Sequence, residues 1–212
     1  MANKRRCVIV SASPDYDAVH INKSIKLDDF VICADGGMDT LLKTGITPNL
    51  IIGDFDSSEN ITAFPDVERI TLKTRKIDTD TMHCAEIALE RGYNEFLFLG
   101  ATGGRTDHAL ANLSILVYLY NKKAYGVISD KYNDIMLLKK GRNIFDVTPG
   151  DTVSVIPFGE KYAKLSYEGL SYPLENELVT VDYPYTISNE AISNKIVITL
   201  HEGSALVIFP HN

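Results

Sequence analysis

Asp54 and Asp56 stand two apart in the stretch Asp54-Phe55-Asp56-Ser57, directly after the apolar run NLIIG. In extended backbone, residues two apart point the same way, so both carboxylates can converge on one cation. A hard divalent ion relieves the repulsion between them. Magnesium keeps several waters and takes one or two carboxylates plus substrate phosphates, so it suits the pair better than zinc. A second reading stays open here: an Asx-rich turn in which Asp56 or Ser57 caps the next helix. Asp78-Thr79-Asp80 opens a helix, where such residues complement the dipole and cap free amides in any case. Its coincidence with the first pair offers one more ligand to the same ion.

Two glycine-bearing stretches follow other apolar runs: Asp35-Gly36-Gly37 after FVICA, and Thr102-Gly103-Gly104-Arg105-Thr106-Asp107-His108 after EFLFLGA. Glycines between a strand and a helix let backbone amides approach phosphate oxygens, and the helix amino end favours negative charge. Neither stretch is a Walker A loop or a GxGxxG fingerprint. Arg105 has the fork geometry that grips phosphate, and it is equally placed for a surface ion pair with Asp107. His108 lacks a partner at metal-ligand spacing and a neighbouring Ser or Cys, so it reads as a helix-start residue or a support behind another side chain.

The elements that must carry these residues differ between the two halves of the 212-residue chain. CVIVSAS, FVICA, NLIIG and EFLFLG are apolar on both faces, as strands in the middle of a parallel sheet are. A helix over 79–91 places Met82, Ala85 and Leu89 on one stripe, with Asp78 or Thr79 to start it and Gly92 to end it. A second helix over 106–120 places Leu110, Leu113 and Val117 together. Strand and helix in alternation predict a doubly wound open sheet, whose ligands bind outside the carboxyl ends of the strands. After about Asp130, DTVSVIPF, KIVITL and ALVIFP read as partly alternating strands between turns such as Pro149-Gly150 and Glu202-Gly203. The expected organisation is an α/β domain over 1–130 and an all-β sandwich or barrel over 131–212, with 160–190 hard to assign.

A net charge of −7 argues against a broad nucleic-acid surface and favours small ligands. Cys7, Cys33 and Cys84 lie far apart in apolar stretches, as reduced core cysteines do. The apolar stretch after MANKRR breaks at SASPDYD, too soon for a secretory or membrane segment, so a cytoplasmic protein is expected.

The ordered set ADGG, PNLIIGDFDS, KIDTDTMHCAEIAL and LGATGGRTDHALANL resembles bacterial thiamine pyrophosphokinases. The similarity extends to Tyr185-Thr186-Ile187-Ser188-Asn189-Glu190 and the following KIVITLHEGSALVIF, which look like that family's thiamine-binding segment and closing strands. The resemblance implies an amino-terminal nucleotide domain, a carboxyl-terminal β-sandwich domain that binds thiamine, and a homodimer with active sites shared between subunits. It places magnesium on Asp54, Asp56 and Asp80, with ATP as co-substrate. Nucleotide contacts fall on Asp35, Gly36, Gly37, Gly103, Gly104, Arg105 and Asp107, and thiamine contacts on Ser188 and Asn189. Some relatives set a tryptophan against thiamine, and this chain has none. Tyr185 is the candidate in its place, with a core or rim tyrosine as the alternative.

The implied reaction moves the β,γ-pyrophosphoryl unit of ATP to the thiamine hydroxyl and releases AMP, with Asp54 or Asp80 as candidate proton acceptor. Two rivals remain: transfer to another hydroxymethyl heterocycle such as a pterin, and a non-catalytic nucleotide or thiamine sensor. The Ser188-Asn189-Glu190 segment speaks against the first, and the complete acidic set against the second.

Overall fold

In the computed structural model, which describes residues 6–55, 62–72 and 79–211, the chain divides into two compact units, Met1–Lys131 and Tyr132–Asn212. The first runs β1 (Cys7–Val10), α1 (Ala18–Ser24), β2 (Phe30–Ala34), α2 (Gly37–Thr44), β3 (Leu50–Gly53), β4 (Glu68–Thr71), α3 (Asp80–Glu90), β5 (Glu95–Leu99), α4 (Thr106–Asn121) and β6 (Tyr125–Ser129). The strand order β6-β5-β1-β2-β3-β4 is parallel throughout. Successive strands step outward from β1 to β4, and the chain then returns to the other side of β1 as β5. The order therefore reverses between β1 and β5, which makes the carboxyl ends of those two strands the crevice of this sheet.

The continuous apolar runs are explained by burial on both faces. Val8, Val10, Val31, Cys33, Ile51, Leu97 and Leu99 meet Ile21 of α1 and Met38 and Leu41 of α2. On the opposite side α3 packs against β1, β2 and β3. A side chain built on Gly126 of β6 would strike Leu116 and Leu119 of α4 and Phe98 of β5, which shows how closely α4 lies on the sheet.

The two expected helices are present, but their buried stripes differ from the expected ones. Helix α3 buries Thr81, Cys84, Ala85 and Ala88, with Met82 and Leu89 only partly covered. Helix α4 buries Asn112, Ile115, Leu116 and Leu119, while Leu110 is 53% exposed. Both sequences are apolar on more than one face, so periodicity alone does not single out the side that meets the sheet. Thr79 caps α3, its hydroxyl accepting from the Met82 amide at 3.2 Å, and Gly92 follows the helix at φ 87°. Cys7, Cys33 and Cys84 are buried and take part in no disulfide.

The second unit contains β7 (Asn133–Leu137), β8 (Gly141–Asp146), β9 (Thr152–Pro157), β10 (Tyr162–Glu168), β11 (Glu177–Thr180), β12 (Asn189–Glu190), β13 (Lys195–Gly203) and β14 (Ala205–Pro210). Within it β12, β9, β14 and β7 pair antiparallel in that order, as do β11, β10, β13 and β8. Alternate residues of the two sets, among them Val153, Val155 and Val207 against Leu165, Tyr167, Ile196 and Ile198, form one core. This is the packing of a β-sandwich. The stretch 160–190 resolves into β10, β11 and the short β12, with turns that include Gly169 and Asn176 at positive φ between β10 and β11.

Candidate active site

Asp35, Gly36, Gly37, Asp54, Asp80, Gly103, Gly104, Arg105 and Asp107 all lie beyond the carboxyl ends of the parallel strands. Asp35 follows β2, its amide donating to the Ile52 carbonyl at 2.8 Å, which carries the β2–β3 pairing one residue further. Gly53, the last residue of β3, lies so close that a Cβ there would sit 2.7 Å from the Cβ and Oδ1 of Asp35. Asp54 comes next, partly buried, followed by Phe55 at φ 59°. Asp80 is the first residue of α3, which packs on β3. Asp56, the third predicted metal ligand, lies outside the described residues, as does Asp78. Among the described residues, no three His, Cys, Asp or Glu side chains form a group able to hold a metal ion.

Gly36 and Gly37 begin α2, and a Cβ on Gly37 would lie 2.3 Å from the Val10 carbonyl oxygen, so only glycine lets this helix start against the end of β1. The second glycine loop, after β5, turns through left-handed conformations at Gly100, Gly103 and Gly104. Arg105 and Asp107, both exposed, form a bidentate pair: Nε donates to Oδ1 at 3.0 Å and an Nη to Oδ2 at 2.5 Å. These hydrogen bonds hold the Asp107 carboxyl down at about 2 and raise the Arg105 pKa. His108 lies exposed in the first turn of α4, its amide donating to Asp107 Oδ1 at 3.0 Å.

Sequence reasoning missed a set of polar residues around that loop. The buried hydroxyls of Ser11 and Thr81 share a hydrogen bond of 2.9 Å. Ser13 Oγ donates to the Thr102 carbonyl at 2.6 Å, Thr102 Oγ1 donates to Asp130 at 2.5 Å, and Asn112 Nδ2 donates to the Ala101 carbonyl at 2.7 Å. The available signal was the strand-end rule already applied to FVICA and NLIIG. Extended to CVIV and to GVIS, it points at Ser11 and Asp130.

In the second unit Ser188 is exposed at φ 54°, and its amide donates to Ser154 Oγ at 2.9 Å. Asn189 is buried. Its Oδ1 accepts from the amides of Tyr172 and Glu190 at 3.0 and 2.9 Å, and its Nδ2 donates to the Tyr172 carbonyl at 2.8 Å. The Asn189 side chain thus pairs with the Tyr172 backbone as a short strand would, leaving the Tyr172 side chain outside, with the residue 72% exposed. Tyr185 is also exposed, its ring centroid 5.7 Å from that of Tyr183.

A doubly wound parallel sheet with carboxylates and glycine loops at its carboxyl edge, followed in the chain by a β-sandwich, defines an α/β class whose ligands bind outside that edge. The profile described as "Thiamin pyrophosphokinase, catalytic domain" matches residues 21–128, and "Thiamin pyrophosphokinase, vitamin B1 binding domain" matches residues 141–205. The thiamine pyrophosphokinase of Bacillus subtilis is 31% identical over 84% of this chain and 85% of its own length. A crystal structure of thiamine pyrophosphokinase from Bacillus subtilis superposes with a TM-score of 0.88 at 28% identity, covering 98% of this chain and 100% of that one. One from Geobacillus thermodenitrificans does so with a TM-score of 0.85 at 27% identity, covering 98% of each. The chain belongs to the thiamin pyrophosphokinase family. It is accordingly an enzyme, a transferase whose sandwich unit matches a vitamin B1 binding domain. No described helix is long and apolar enough to cross a membrane.

Proposed function

We propose that the chain transfers the pyrophosphoryl group of ATP to the hydroxyl of thiamine, giving thiamine diphosphate and AMP. The observation that carries this reading is the gathering of Asp35, Asp54, Asp80 and two glycine loops along the carboxyl edge of one parallel sheet. The thiamine oxygen forms its bond to the β-phosphorus of ATP, the bond to the α-phosphate bridge breaks, and the hydroxyl proton leaves to a carboxylate, Asp54 or Asp80. Such chemistry asks for alignment and charge neutralisation more than for a covalent nucleophile on the protein.

Residues 1–130 serve the nucleotide in this reading. Amides of Gly36, Gly37, Gly103 and Gly104 take phosphate oxygens, Arg105 exchanges Asp107 for phosphate, and Asp35 and Asp107 complete the nucleotide contacts. The donor set fits magnesium: Asp54, just after β3, and Asp80, opening α3 which packs on β3, are hard oxygen donors, and Asp56 follows Asp54 by two positions in the sequence. Bound there, the ion supplies neutralisation of phosphate charge.

Residues 131–212 serve thiamine. Ser188 offers an exposed hydroxyl from a left-handed turn. Asn189 acts through the segment that it ties down, and Tyr172 joins Tyr185 as an exposed ring available for stacking on the aminopyrimidine. The enzyme works as a cytoplasmic homodimer with active sites shared between two chains.

Thiamine and a hydroxymethyl pterin, each offered with ATP and magnesium while binding heat and turnover are followed in one sample, test the reading. Turnover with thiamine alone is expected. Turnover with the pterin, or binding of thiamine and ATP without turnover, contradicts it.

A further inference from the structure

The segment after β1 reads Ser11-Ala12-Ser13, and its burial alternates: both serines are buried and Ala12 is exposed. The serines reach different parts of the edge. Ser11 Oγ meets Thr81 Oγ1, the residue next to Asp80 in the first turn of α3, at 2.9 Å. Ser13 Oγ donates to the Thr102 carbonyl inside the glycine loop at 2.6 Å and accepts from the Asp15 amide at 3.1 Å. The Ser11 amide donates to Leu99 O at 2.9 Å, and a Cβ on Gly100 would lie 2.4 Å from Ser11 O, so the backbones of the two strand exits are in contact. This happens between β1 and β5, where the strand order reverses.

We infer that Ser11 and Ser13 are positioning residues for the transfer reaction: Ser11, through Thr81, sets the first turn of α3 and hence Asp80, and Ser13 sets the glycine loop. The inference rests on the proposed roles of Asp80 toward magnesium and of the glycine loop toward phosphate. A buried hydroxyl pair has no water to replace a lost partner, so removing one hydroxyl leaves the other unsatisfied and the turn free to shift. The two serines act on different ligands, so their effects separate.

The test uses full-length Ser11→Ala, Thr81→Val, Thr81→Ser and Ser13→Ala, each first melted to establish folding. Three quantities are read: the magnesium concentration for half-maximal turnover, Mn2+ binding by electron paramagnetic resonance, and calorimetric affinity for α,β-methylene-ATP at saturating magnesium. Ser11→Ala and Thr81→Val should raise the magnesium midpoint and weaken Mn2+ binding about 5- to 150-fold, the range for one unsatisfied hydroxyl, with little change in affinity for the analogue. Thr81→Ser, which keeps the hydroxyl, should restore wild-type metal dependence. Ser13→Ala should show the reverse pattern, weaker analogue binding with an unchanged magnesium midpoint.

Metal and nucleotide constants that move together, constants that stay at wild-type values, or a Thr81→Ser as impaired as Thr81→Val overturn the inference. If Ser11→Ala does not fold, the Thr81 pair decides. Asp80→Asn, measured alongside, separates the two levels. An Asp80→Asn enzyme with unchanged metal dependence overturns the metal reading and the brace with it, whereas loss in Asp80→Asn but not in Thr81→Val overturns the brace alone.

Discussion

Replacing Gly53 by Ala tests whether the junction of β2 and β3 fixes the reacting geometry. The added Cβ would stand 2.7 Å from Asp35 Cβ and Oδ1 and 3.0 Å from Asp35 Cα. Nonbonded carbons settle at about 3.5–4.0 Å, so Asp35 and the end of β3 must part by about 1 Å. The Asp35 amide is bonded to the Ile52 carbonyl and the Asp35 carbonyl to the Met38 amide, so the displacement cannot be confined to a side chain. Overpacking of this kind costs about 1–3 kcal/mol, which for a chain of this size lowers Tm by about 2–12 °C. Turnover should fall much further, about 100-fold, because a 1 Å misplacement of aligned groups has that effect. Gly92→Ala is the control. Gly92 has φ 87° and open space around its Cβ position, so an alanine there pays only the left-handed strain, about 1–2 kcal/mol. It should lose similar thermal stability and keep wild-type turnover per folded molecule. Melting by calorimetry and AMP release under saturating substrates measure both quantities. A Gly53→Ala enzyme with wild-type turnover, or a Gly92→Ala enzyme equally inactive, refutes the reasoning.

Asp54→Asn and Asp56→Asn should each remove nearly all turnover while the protein melts as wild type, and either variant active at limiting magnesium contradicts the metal reading. Ser188→Ala with Asn189→Ala should raise the thiamine KM about 5- to 150-fold, the range for lost polar contacts, and leave the ATP KM in place. Equal shifts for both substrates, on protein shown to be folded, would remove the acceptor site from this segment. Asp107 should titrate near 2, below its ordinary 3.8, because Arg105 hydrogen-bonds its charged form. A lowered folded pKa stabilises the fold above 3.8, and the contribution disappears as pH falls toward 2. Arg105→Ala should return the midpoint toward 3.8 by carboxyl NMR, and an unmoved midpoint contradicts the pairing.

The parallel sheet was legible because strands buried on both faces read as unbroken apolar runs, as FVICA and EFLFL do. Strand β4 was not, since ERIT at the sheet edge is half exposed and carries no such run. Helices α1 and α2, of 7 and 8 residues, are too short for periodicity to stand out. The acidic and glycine-bearing strand ends were visible as local motifs. Ser11 with Thr81 and Ser13 with Thr102 were not, because partners 70 and 89 residues apart leave no trace in local spacing. Asn189 was legible as a polar residue of the thiamine segment, but its three hydrogen bonds to the Tyr172 and Glu190 backbone appear only in the fold.

A pyrophosphoryl group, not a single phosphoryl group, is proposed to move to thiamine. The most direct test is to resolve by chromatography the nucleotide formed when the purified protein turns over ATP, thiamine and magnesium. AMP in equal amount to thiamine diphosphate is expected; ADP in equal amount to thiamine monophosphate would contradict pyrophosphoryl transfer.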